Sequence, residues 1–68
     1  MPLVKRSFTL AGHRTSVSLE PEFWDALAQI AAKQERALSA LVAEVDAGRA
    51  PEQPLASSLR IFALRLQR

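Results

Sequence analysis

Between His13 and Trp24 the apolar and polar positions change period abruptly. Arg14, Ser16 and Ser18 alternate with Thr15, Val17 and Leu19, the two-residue repeat of a half-buried strand, and 13–19 is predicted as such. Pro21 ends the repeat. Its fixed φ suits the first turn of a helix, and Glu20, Glu22 and Asp25 bring negative charge to the positive end of the helix dipole. Phe23, Leu27, Ile30 and Ala31 follow at intervals of three and four with Trp24 and Ala28 beside them, so the spacing predicts an amphipathic helix over 21–34. Leu38, Leu41, Val42 and Val45 repeat the pattern over 38–47, and Gly48 is a natural stop. Two prolines and few apolar groups make 48–54 a loop. Leu55, Leu59, Phe62, Ala63 and Leu66 then predict a third helix over 55–67, which Ile61 and Leu64 make apolar on more than one side. A helix of that kind needs more cover than one short chain gives, which points to a partner.

Upstream, 1–12 is either an N-terminal arm or an extra strand. Val4, Arg6, Phe8 and Leu10 alternate with Lys5, Ser7 and Thr9, and Ala11-Gly12 suits the turn or bulge that would join them to the next strand.

Sixty-eight residues make one small domain whose core is thin. Cysteine is absent, which excludes disulfides and thiolate metal sites, and no cofactor is expected. No apolar run reaches the roughly 18 residues of a membrane span and no secretory signal opens the chain, so the expectation is a soluble cytoplasmic protein. The net charge of +2 is unevenly spread. Residues 1–19 hold Lys5, Arg6 and Arg14 with no acid, 20–53 hold all seven acids, and 54–68 return to positive through Arg60, Arg65 and Arg68. A strand whose polar face meets phosphate needs that sign.

The order of elements resembles the ribbon-helix-helix fold of Arc/MetJ-type DNA-binding proteins. Gly12-His13-Arg14-Thr15-Ser16-Val17-Ser18-Leu19-Glu20, then Phe23-Trp24, then Leu38-Ser39-Ala40-Leu41-Val42, with Ser57-Ser58-Leu59-Arg60 near the end, is similar to a bacterial subfamily of small uncharacterised proteins. The resemblance implies a mainly α fold with a short strand, in an intertwined homodimer. Two chains would share an intermolecular two-stranded antiparallel ribbon that enters the major groove, and an extra C-terminal helix would complete the fold. Carried over by position, Arg14, Ser16 and Ser18 would contact bases, with Arg14 able to take guanine O6 and N7 together. Backbone N–H groups at Leu38 and Ser39 would hold a phosphate, and Lys5 and Arg6 would flank it. Val17, Leu19, Phe23, Trp24, Leu27, Leu41, Val42 and Val45 would form the dimer core. Where the family commonly has a glycine and a capping Ser or Thr between its helices, this chain has Glu35 and Ala37.

Trp24, beside Phe23, is read as a core or interface anchor rather than an exposed recognition aromatic. His13 is read as a loop or edge residue rather than a catalytic base. No HExxH, GxSxG or phosphate-loop spacing is present, and an enzyme is not expected. The expected partner is double-stranded DNA, for a transcription regulator. The competing reading is a dimerising interaction module or antitoxin-like adaptor without DNA binding of its own, with a protein partner on the C-terminal helix.

Overall fold

Both residues of Ala11-Gly12 have positive φ, 51° and 81°, the backbone of the type I′ turn that joins strands by two residues. The turn folds β1 (Val4–Leu10) onto β2 (His13–Leu19) as an antiparallel pair, in register from Leu10 opposite His13 to Val4 opposite Leu19. The computed structural model describes residues 2–67, and three helices follow the hairpin: α1 (Pro21–Lys33), α2 (Leu38–Gly48) and α3 (Leu55–Leu66). The segment that sequence left as arm or strand is therefore a strand. It pairs with β2 along its whole length.

The inner face of the hairpin packs Phe8, Leu10, Val17 and Leu19 against Trp24, Leu27 and Ile30 of α1, Leu41 and Val42 of α2, and Leu55, Leu59 and Ala63 of α3. The eight residues expected in a dimer core all belong to this cluster or pack against it. Val17, Leu19, Trp24, Leu27, Leu41 and Val42 fill the interior of one chain, with Leu19, Leu27, Leu41 and Val42 fully buried, while Phe23 and Val45 pack partly buried against them. Phe8 and Leu10 of β1 contribute to this interior, 8% and 5% exposed.

Trp24 fastens the hairpin to α1. Its indole Nε1–H donates to the Val4 carbonyl at 2.8 Å, its ring lies 5.9 Å from that of Phe8, and the Arg6 guanidinium stands 5.3 Å from its centroid. At the other end, Arg60 of α3 donates to the Glu20 carboxylate from Nε at 3.0 Å and Nη2 at 2.9 Å, and its guanidinium lies 5.8 Å from the Phe23 ring. These contacts tie α3 to the strand-to-helix corner.

Between α1 and α2 the chain closes in a Schellman motif. The Arg36 N–H donates to the Ala31 carbonyl and the Glu35 N–H to Ala32, at 3.1 and 3.0 Å, with Glu35 in the left-handed region at φ 54°. Ala37 is the N-cap of α2 and makes no side-chain cap bond. α2 runs one residue further than the spacing suggested, through Gly48, and its end is held by Arg49, which donates to Asp46 Oδ1 at 2.9 Å and to the Gln53 carbonyl at 2.8 Å.

Candidate nucleic-acid interface

Strand alternation sends Arg14, Ser16 and Ser18 to the face of β2 away from the helices, and Thr15, Val17 and Leu19 toward them. Burial follows that division: Val17 and Leu19 are buried, whereas Arg14 and Ser16 are exposed. On β1 the outward residues are Lys5, Ser7 and Thr9, all exposed, opposite Ser18, Ser16 and Arg14 respectively. The outer face is thus six polar side chains in three cross-strand rungs.

The rungs are coupled. Ser7 Oγ and Ser16 Oγ lie 2.9 Å apart, and Arg14 Nη1 donates to Thr9 Oγ1 at 3.1 Å. Because a two-residue turn makes Leu10 and His13 a hydrogen-bonded pair, these three rungs fall at the alternate, non-hydrogen-bonded positions, where facing side chains come closest. Neither strand contains an acid, so the charge on this face comes from Lys5 and Arg14 alone. Five N–H donors on Arg14, one of them engaged by Thr9, leave the guanidinium able to take a further acceptor pair.

The flanking residues named from the sequence divide between two places. Lys5 is on the outer face; Arg6 is on the helix side of β1, exposed but laid over Trp24. At the start of α2, Ser39 is exposed and Leu38 packs partly against the core. The first turn there holds no acid, and the Ala37 carbonyl accepts from the Ala40 and Leu41 N–H groups at 3.1 and 3.2 Å. The Leu38 and Ser39 N–H groups precede those and have no intrahelical acceptor, as at any helix start. Arg36 beside them is ion-paired to Glu44.

Sequence reasoning did not include Ser7 and Thr9 among the outward residues of a reading face. The signal was available in the alternation of 4–10, which a two-residue turn at Ala11-Gly12 puts in phase with that of 13–19. Among the described residues no group of three or more His, Cys, Asp or Glu is arranged to hold a metal ion, and no helix is long and apolar enough to cross a membrane.

The molecule is thus a hairpin with a polar outer face, followed by helices that pack on its inner face. A family model for the ribbon-helix-helix domain matches residues 3–66. The chain belongs to the ribbon-helix-helix domain family. No curated protein matches it significantly. Among solved structures, an uncharacterized protein from Bordetella pertussis Tohama I is similar, with a TM-score of 0.81 and 35% sequence identity over 96% of this chain and 55% of that one. The ribbon-helix-helix chain described here therefore spans just over half the length of that relative. In this ribbon-helix-helix domain the match includes both strands of the hairpin.

Proposed function

We propose that the protein is a sequence-specific DNA-binding transcriptional regulator, cytoplasmic and homodimeric, that lays the outer face of its ribbon in the major groove. The observation that carries this reading is the outer face itself: acid-free, exposed at five of its six side chains with Ser18 half-buried, and headed by Arg14 among hydroxyls. The major groove admits a two-stranded ribbon, and an Arg fork pairing with guanine O6 and N7 contributes about 1–3 kcal/mol of discrimination. Ser16 and Ser18 bond to several bases and discriminate less. Lys5 and Arg6, with the Leu38 and Ser39 N–H groups, contact phosphates and set the position of the ribbon without reading sequence. Membership of a family whose domains are typically non-enzymatic DNA-binding modules supports a role without catalysis.

The homodimer in this reading is supported by α3, where Ile61, Leu64 and Leu66 are 39%, 65% and 45% exposed. The same residues favour a second reading, in which the protein is an interaction module and α3 receives another protein. Beside them a groove of about 480 Å³ runs between α2 and α3, with Val45, Ser58, Ile61 and Phe62 among its lining residues.

Titration of a mixed-sequence duplex at about 50 and 200 mM salt separates the two readings. The DNA-binding reading expects affinity to fall by at least roughly tenfold across that range, as counterion release requires for several phosphate contacts. It also expects Arg14→Ala to erase sequence preference, and the Lys5→Ala/Arg6→Ala double variant to lower affinity evenly across sequences. A folded protein that binds no duplex at low salt sinks it in favour of the interaction module.

A further inference from the structure

Each strand of the hairpin turns one edge to its neighbour and leaves the other open. Leu10 and His13 flank a two-residue turn as a hydrogen-bonded pair, so His13, Thr15, Val17 and Leu19 direct their backbone groups to β1. The N–H and C=O groups of Arg14, Ser16 and Ser18 therefore point away from β1, along the open edge of β2. We infer, resting on the groove-reading function proposed above, that a second copy of this chain pairs at that edge and that β1 is the flanking strand of the joined sheet. Its outward Lys5, Ser7 and Thr9 then bind phosphates at the walls of the groove, while Arg14, Ser16 and Ser18 of both copies face bases at its floor.

The open edge suits its own copy. In an antiparallel pairing that sets Ser16 opposite the second copy's Ser16, Arg14 stands opposite Ser18, and all three positions gain backbone partners. No like charges are then directly opposed. A shift by two residues leaves one of the three positions out. The helices favour this edge over that of β1: α3 lies beneath β2 and α2 beneath β1. Among the described residues of the helices, the large apolar side chains that are exposed are Ile61, Leu64 and Leu66, all on α3. The edge of β1 also carries Lys5, a residue type that discourages strand addition.

Width then assigns the strands their roles. Strands lie about 4.8 Å apart, so in the joined sheet the β2 backbones stand about 2.4 Å from the central axis and the β1 backbones about 7 Å. Half the width of the major groove is about 6 Å. The two β2 strands fall over the base edges and each β1 falls at a wall, where the phosphates are. The chemistry of β1 fits that place. Phosphate oxygens only accept, and Lys5, Ser7 and Thr9 can all donate, on a strand that contains no acid. Thr9 Oγ1 accepts from Arg14 Nη1 at 3.1 Å, which leaves its own O–H to donate outward. Ser7 Oγ lies 2.9 Å from Ser16 Oγ; with Ser16 as donor, the Ser7 O–H is free in the same way.

Single-cysteine variants of the full chain test the pairing, since the chain has no thiol of its own. Ser16→Cys is expected to form a disulfide-linked dimer on mild oxidation. Ser7→Cys is expected to stay unlinked, because the two copies of that position lie roughly 14 Å apart, beyond the 7 Å or so that a disulfide can bridge. Duplexes enriched from a randomised pool test the division of roles. Ser7→Ala is expected to weaken binding of enriched and unselected duplexes alike, on the order of tenfold for two lost bonds per dimer, with the preferred bases unchanged. Replacing the contacted phosphates by neutral methylphosphonates is expected to remove the effect of Ser7→Ala, the coupling that a direct contact requires. Both serines are exposed, and matching far-ultraviolet spectra establish that the variants fold. A Ser7→Ala protein that prefers a different base, or a Ser16→Cys protein that does not cross-link while native protein binds duplex, overturns the inference and leaves the DNA-binding function standing. Native protein that binds no duplex at low salt overturns both.

Discussion

Glu35 carries the plainest conflict between residue type and backbone. Its φ of 54° lies in the left-handed region, and it occupies the position after the α1 cap that a Schellman motif usually gives to glycine. A side chain there costs on the order of 1 kcal/mol. Two residues on, Ala37 caps α2 with no side-chain oxygen to receive the free N–H groups, a shortfall of about 1 kcal/mol relative to serine. Glu35→Gly and Ala37→Ser are each expected to raise the urea midpoint at an unchanged m-value; a fall in both would mean that the turn owes its stability to these side chains. The third residue to mark is Glu20. Its carboxyl is held below the ordinary carboxylate range by hydrogen bonding to its own backbone and then by the Arg60 guanidinium. Because the folded state favours the charged form, this contribution is present above the unfolded carboxylate value, near pH 4.3, and is lost as pH falls through the lowered folded value. Native protein and Glu20→Gln are expected to differ in stability at pH 6 and to converge toward pH 3 in parallel urea titrations. A constant difference between them would show that Arg60 acts through Phe23 and not through charge.

The hairpin shows what an element adds beyond its residues. Ala11 takes a positive φ of 51° that non-glycine residues adopt reluctantly, whereas asparagine tolerates it well. Ala11→Asn is therefore expected to stabilise the fold by up to about 1 kcal/mol, and Ala11→Val to destabilise it by more than that, both read from thermal unfolding. Trp24→Phe removes the donor to the Val4 carbonyl, and amide exchange should speed up in β1 more than in α1. Equal acceleration in both would mean that the tryptophan supports the core generally and does not pin the hairpin. The strand 13–19 and the three helices were legible because each keeps one period, broken by Pro21, Gly48 or Pro54. β1 was harder to read for two physical reasons. Arg6 stands on its inner face, where an apolar residue would have completed the pattern, and only the Trp24 ring explains it. The pairing partner of a strand is also a tertiary matter, and Ala-Gly signals a two-residue turn more weakly than Asn-Gly. The outward direction of Arg14, Ser16 and Ser18 could be read from period alone. The companions Ser7 and Thr9 follow from the alternation of 4–10 only once the two-residue turn at Ala11-Gly12 fixes the register.

At the scale of the whole molecule, the polar outer face of the ribbon and the apolar strip of α3 are separate surfaces with separate consequences. The buried cluster draws on both strands and all three helices, and the apolar residues of α3 outside it are Ile61, Leu64 and Leu66. On the homodimer reading, Leu64→Glu, a change at a position 65% exposed, shifts sedimentation equilibrium to the monomer and leaves helical content intact. A native protein that is monomeric at all concentrations contradicts that reading. Amide chemical-shift mapping on titration with a duplex tests whether the outer face of the hairpin is the DNA-binding surface. The largest shifts are expected on Lys5, Ser7, Thr9, Arg14, Ser16 and Ser18, with smaller ones at Leu38 and Ser39 and little change along α3. Shifts centred on α3 and the groove beside α2, with the ribbon silent, would contradict it.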